Sequence, residues 1–156
     1  MKKLSNSLYQ AIDFAEPKLR AVTEQDSLAP ALRGGWSRRQ LVAHLVDSAA
    51  NNHIRFLRAS LEPSIELPRY DQEGNIRIQS PNAFPWSRLL DLFVAYNRYL
   101  AHVIAQIPAV KRNTPCRLIP YEPVTLEFLA NDYVTHLLHH LSQISIVPPP
   151  HALERQ

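Results

Sequence analysis

Thirteen prolines and only three glycines decide most of what this chain can become. Proline lacks a backbone N–H and clashes with the preceding turn, which excludes it from helix interiors and strand centres. Here the prolines leave three uninterrupted stretches, 31–62, 86–107 and 124–147, and a first stretch, 1–29, broken only by Pro17. Each carries apolar residues at helical spacing. The first predicts a helix over about 4 to 27 (Leu4, Leu8, Ile12, Ala15, Leu19), kinked or split at Pro17. In the second, Ser37 and Gln40 form a capping box with Trp36 and Leu41 at the staple positions, predicting a helix to about Leu61. A third helix is expected from near Pro85 to Ile107, with Asn82 as its cap, and a fourth from Thr125, an N-cap candidate, to just before Pro148. Only Asn75 to Gln79 hints at alternation, which suggests a short hairpin or an extended loop.

Four long helices in one chain predict an all-α, four-helix-bundle domain over residues 1–147, followed by a Pro-rich tail, 148–156. The connection from Glu62 to about Asn82 is long for a loop. It predicts a crossover between parallel neighbours, a segment covering a site, or both. A length of 156 residues with 46% hydrophobic and 20% charged content fits one ordinary globular domain. The net charge of +3 and the lack of a basic cluster give no support to nucleic-acid binding. No apolar run reaches membrane-span length and the N-terminus shows no signal-peptide core, so a cytoplasmic location is expected. A single cysteine, Cys116, excludes an internal disulfide and a multi-Cys zinc site. Scarce glycine leaves no P-loop or dinucleotide fingerprint.

The histidines carry the chemistry. His136 and His140 stand four apart on the fourth helix and share a face, a register in which two imidazoles can chelate one metal. Leu137 stands where zinc proteases have glutamate, so a protease reading is poor. His44, in the apolar stretch LVAHLVD, could supply a third ligand from the second helix. Spacing alone also allows a His136–His139 pair. The bland reading, surface or core histidines, competes with each. His53, His102 and His151 read as structural or solvated. Asp132, one turn before His136, could orient an imidazole or act as a base, or be a solvated carboxylate. Ser48, Asn51 and Arg55 extend the His44 face and could line a substrate cavity, with Arg55 receiving an anionic group, or form a polar stripe at the core edge. Cys116 is a poor candidate for a catalytic thiol.

Three segments, GWSRRQLVAHLVDSAANNHIRF (35–56), LPRYDQ (67–72) and VTLEFLANDYVTHLLHHLSQI (124–144), together resemble the DinB superfamily, and within it the YfiT-like metal-dependent hydrolases. The resemblance covers nearly the whole chain. It implies a four-helix bundle with a long crossover after the second helix, and a divalent metal, commonly zinc or nickel, held by His44, His136 and His140 with open positions for water. It thereby selects His140 over His139. Two positions depart from the pattern: Asn75 stands near where a tryptophan usually follows the YDQ loop, and Thr135 where a bulkier aromatic can precede His136. The superfamily includes enzymes that use low-molecular-weight thiols, so hydrolysis and thiol S-transfer both stay open as activities on a small molecule. Asp132 or Asp47 is the expected base or orienter. A homodimer is the expected assembly. The alternative is a non-catalytic bundle that binds metal, ligand or partner without turnover.

Overall fold

The computed structural model describes residues 1–31 and 35–144. The expected tail around Pro148–Pro150 and His151 lies outside the described residues. Four helices form the bundle: α1 (Lys2–Arg20), α3 (Arg38–Leu61), α5 (Trp86–Gln106) and α6 (Leu126–Gln143). Two short helices, α2 (Glu24–Ser27) and α4 (Gln72–Gln79), lie in the connections. The starts of α3 and α6 follow from side-chain chemistry. Ser37 accepts from Gln40 N–H while the Gln40 side chain returns to Ser37 N–H, and Thr125 accepts from Phe128 N–H. Both pairs occupy donors that a helix start leaves open.

Ion pairs and hydrogen bonds give the helix directions. Arg20 reaches Asp91 (3.0 Å) and Ser5 donates to Ala101 O (2.6 Å), so α1 and α5 run antiparallel. Arg39 donates to Phe84 O (2.9 Å) near the starts of α3 and α5, while His53 meets the Tyr96 hydroxyl (3.2 Å) further along both, so these two are parallel. Parallel neighbours cannot be joined by a tight hairpin, which is why the connection is long. In α6, Tyr133 packs on Phe56 while His136 and His140 lie near His44, so α6 runs antiparallel to α3. The bundle closes with α6 against α1. Its core is one cluster of buried residues including Leu8, Ile12, Leu45, Phe56, Phe93, Leu100, Leu126 and Leu137. Burial of apolar area of this kind is the main favourable term in folding.

A three-stranded sheet, in the order β1 (Ile65–Pro68), β2 (Pro115–Ile119), β3 (Val124–Thr125), was not expected from the sequence. β1 pairs parallel with β2, and β3 pairs antiparallel with it. The strands are too short to show alternation, and each is bounded or interrupted by the prolines that read as loop signals. Lys111 donates to Leu61 O and Glu62 O, taking carbonyls that the end of α3 leaves open.

Three local expectations are corrected. Residues 75–79 are not a hairpin or extended loop but belong to α4: Asp71 caps the helix through Gly74 N–H, and Ile76 is its buried apolar contact. The first helix passes through Pro17 and stops at Arg20, because a proline so near the end removes one hydrogen bond from a helix already stopping; Thr23 then caps the separate α2. Asn82 does not cap α5, whose N-cap is Pro85; the Glu24 carboxylate takes the Trp86 N–H instead (3.0 Å), while Asn82 Oδ1 accepts from Ser37.

Candidate metal centre and adjoining cavity

His44 projects from α3 and His136 and His140 from α6, across the antiparallel α3–α6 seam. His136 Nε2 lies 3.1 Å from His44 Nε2 and 3.0 Å from His140 Nε2. The three residues each offer a ligand nitrogen within 4.8 Å of the others. His140 Nδ1 lies 2.7 Å from Gln143 Oε1, and Gln143 Nε2 lies 3.1 Å from His139 Nε2. An amide oxygen can only accept, so His140 carries its proton on Nδ1 and turns the Nε2 lone pair toward its neighbours. Neutral imidazoles can place at most one shared proton among these three nitrogens, whereas a single cation takes all three lone pairs. The donor set therefore fits a divalent metal.

Electrostatics point the same way. Burial first, then the charges of the other two imidazoles, push His44 down to about 3. Burial and then the neighbouring His140 and His139 push His136 down to about 4, and His140 is lowered as well, chiefly by burial. Such groups are neutral at pH 7 and ligate a metal without first losing a proton. His44 Nδ1 is buried with no hydrogen-bond partner among the described residues, and the Trp36 ring lies 5.1 Å from the imidazole, centroid to centroid. Trp36 shields the cluster from one side, its indole N–H reaching Glu73 (3.3 Å) on α4.

A cavity of about 320 Å³ adjoins the triad, and His136 is common to both. That volume suits a small molecule. Ser48 and Arg55 line it from α3 and Asp132 from α6. Asn51 does not line it; its amide donates back to Asp47 O on its own helix, and Asn52 takes the lining position one residue on. Asp47 is also absent from the lining: its Oδ2 accepts from Asn75 Nδ2 (2.7 Å), tying α4 to α3. His139 stays outside the triad, held by Gln143. Cys116 is buried, its thiol pushed up to about 11 by that burial, which suits a packed side chain and not a nucleophile.

Sequence reasoning assigned no role to Arg69, Tyr70 and Gln72, which come from LPRYDQ, or to Tyr121 beyond β2. Nor did it find Tyr133, whose hydroxyl donates to buried Asn97 and whose burial pushes its pKa up. The segment around Tyr121 lacks any periodic pattern. Gln143, three residues past His140, was legible as the same face of one helix, since i and i+3 are neighbours there.

The comparisons agree with this architecture. The family model described as "DinB superfamily" matches residues 8–144. Among curated relatives, the chain is 27% identical over 149 residues to the Bacillus subtilis (strain 168) protein named "Putative metal-dependent hydrolase YfiT", covering 92% of this chain and 84% of that one. It is 29% identical over 126 residues to a Bacillus pumilus (strain SAFR-032) protein named "Putative metal-dependent hydrolase", covering 80% of this chain and 71% of that one. The solved structure of Bacillus subtilis YfiT, noted for an unusual four-helix bundle topology, superposes with a TM-score of 0.81 at 24% identity, covering 92% of this chain and 82% of that one. With the family matched over nearly its whole length and the same bundle built from it, the chain belongs to the DinB superfamily.

Proposed function

We propose that the chain is a divalent-metal-dependent enzyme acting on a small molecule, with hydrolysis as its leading chemistry. The observation that carries the reading is His136, which belongs both to the three-imidazole cluster and to the wall of the cavity. A zinc or nickel ion held by His44, His136 and His140 would supply Lewis acidity and lower the pKa of a water or thiol toward 7. The protein's own groups do the remainder. Gln143 fixes the His140 tautomer, and Trp36 covers His44. Asp132, on the cavity wall one turn before His136, accepts a proton from the attacking group and returns it to the leaving group.

Transfer of a low-molecular-weight thiol is the second reading. Its sulfur would come from a co-substrate, because Cys116 is buried and protonated at neutral pH. The test is metal content per chain by elemental analysis on tag-free wild type and on His136→Ala, followed by ester and amide substrates with and without an added thiol. About one ion in the wild type and near none in the variant is expected, with turnover following the metal. No ion after reconstitution with zinc and with nickel would sink the proposal. Turnover that appears only with added thiol would replace hydrolysis by transfer.

A further inference from the structure

A guanidinium withdrawn from water is stabilised by a carboxylate or by several acceptors; left without them it is costly. Arg55 is only 8% exposed, yet among the described residues its one hydrogen-bond partner is Asn52 Oδ1, 3.3 Å from Nη1. Among the described residues no carboxylate forms an ion pair with it. Arg55 lines the cavity, so donors without a protein partner open onto that space. A second cation, Arg69, lines the same cavity, its Nη1 donating to the Tyr121 hydroxyl (2.8 Å) and its guanidinium 5.2 Å from the Tyr121 ring. The Tyr70 ring lies 5.8 Å from the Arg55 guanidinium. Burial holds Arg55 below its ordinary pKa and the charge on Arg69 adds to that, with Tyr70 and Asp132 opposing. Asp132 and Glu122 line the same cavity, yet among the described residues neither forms an ion pair with Arg55 or Arg69, so the two guanidinium groups share no bridging anion.

We propose that this end of the cavity binds an oxyanion of the substrate, a carboxylate or phosphoryl group, with Arg55 making a planar two-point contact and Arg69 closing over it. The inference rests on the cavity being the substrate site and narrows the substrate to an acidic small molecule. Its reacting bond lies toward His136 and Asp132, while its acidic end is held by the two arginines. Tyr70 and Tyr121 form apolar walls for the carbon skeleton.

The experiment uses the full chain after chelator treatment, so that an anion cannot simply coordinate a metal. Succinate and inorganic phosphate are titrated by calorimetry and by thermal melting. The wild type is expected to bind at least one of them and to melt higher with it; succinate alone points to a carboxylate, phosphate alone to a phosphoryl group. Arg55→Met should bind about tenfold or more weakly, while its ligand-free melting temperature stays level or rises. Arg69→Gln, at an exposed position, should weaken binding by about threefold to tenfold. Absence of binding by both anions, unchanged affinity in Arg55→Met, or a lower ligand-free melting temperature in that variant would each overturn the proposal. Metal-dependent turnover of neutral substrates without anion binding would overturn this inference alone. Anion binding in a chain that takes no metal would overturn the enzyme reading alone.

Discussion

Two buried arginines stand near opposite ends of α3, and their surroundings could hardly differ more. Arg39 is 2% exposed, and all three guanidinium nitrogens have partners. Nε donates to Ser27 Oγ, Nη1 to Asn82 O and Phe84 O, and Nη2 to Glu24 O, Glu24 Oε1 and Ser27 Oγ. These acceptors belong to α2 and to the approach to α5, so one side chain gathers three segments at that end of the bundle. Arg55, sixteen residues on, has Asn52 and a cavity. A saturated buried cation holds structure together; an unsaturated one leaves donors facing the cavity.

The largest expected effect breaks the saturated end. Arg39→Met leaves five acceptor atoms on four residues without their donor and should destabilise the fold by about 3–5 kcal/mol, read by urea unfolding. A loss under about 1 kcal/mol would show that the clamp is ornamental and would remove the contrast with Arg55.

Acid should test the triad, which lies between the two arginines on α3. His44 sits at about 3 in the folded chain and at about 6.5 when unfolded. Below pH 6.5 the unfolded chain takes up a proton that the folded, metal-free chain refuses, so stability falls as pH falls and is level above that value. The slope is about 1.4 kcal/mol per pH unit for each such histidine. Urea unfolding of the chelated protein at pH 7.5, 6 and 5 should show it, and His44→Gln should remove the share of His44 while that of His136 remains. A wild-type profile flat across this range would mean that the imidazoles accept protons where they stand.

What was legible in the sequence divides along the same physical line. Helix periodicity, the Ser37 capping box and the Thr125 cap are local, and they carried the long helices; spacing left His139 and His140 both open as partners of His136, and the family resemblance selected His140. The length of the 62–82 connection carried topology, since parallel α3 and α5 cannot be joined by a short turn. Helix face set Arg55 apart from Arg39 as a candidate receiver of an anion, but not that Arg39 is saturated and Arg55 is not. Both are arginines in a half-apolar helix, and their difference resides in the partners that α2 and the turn before α5 bring to Arg39. For the same reason Asn51 looked like a cavity residue by helix face and Asp47 was expected as a base or orienter, yet Asp47 holds Asn75 and Asn51 its own backbone. The strands, two to five residues long, lie below the length at which alternation can be read.

A smaller effect probes how the metal end is held. Gln143 anchors His140 through Nδ1 and makes no contribution to the three ligand nitrogens. Gln143→Leu should therefore keep the fold while lowering metal affinity about tenfold to a hundredfold, measured by chelator competition. Gln143→Glu, which retains an acceptor, should recover most of it. Equal losses in both variants would mean that Gln143 acts by packing and not by fixing the tautomer.

The smallest effect dissects the clamp itself. Glu24 supplies Arg39's one ionic contact among the described residues and also caps α5 through Trp86 N–H, yet its side chain is 62% exposed. Water already screens such a carboxylate, so Glu24→Gln should cost about 1 kcal/mol or less, and added salt should shrink the difference between the two proteins. The carbonyls of Glu24, Asn82 and Phe84 and the Ser27 hydroxyl remain in place, and they are what saturate the guanidinium. If Glu24→Gln instead matched Arg39→Met, charge neutralisation and not hydrogen-bond saturation would be what distinguishes the two arginines. An anion on Arg55 would then be expected to stabilise the whole fold as strongly as Glu24 does, which the melting experiments with succinate and phosphate would reveal.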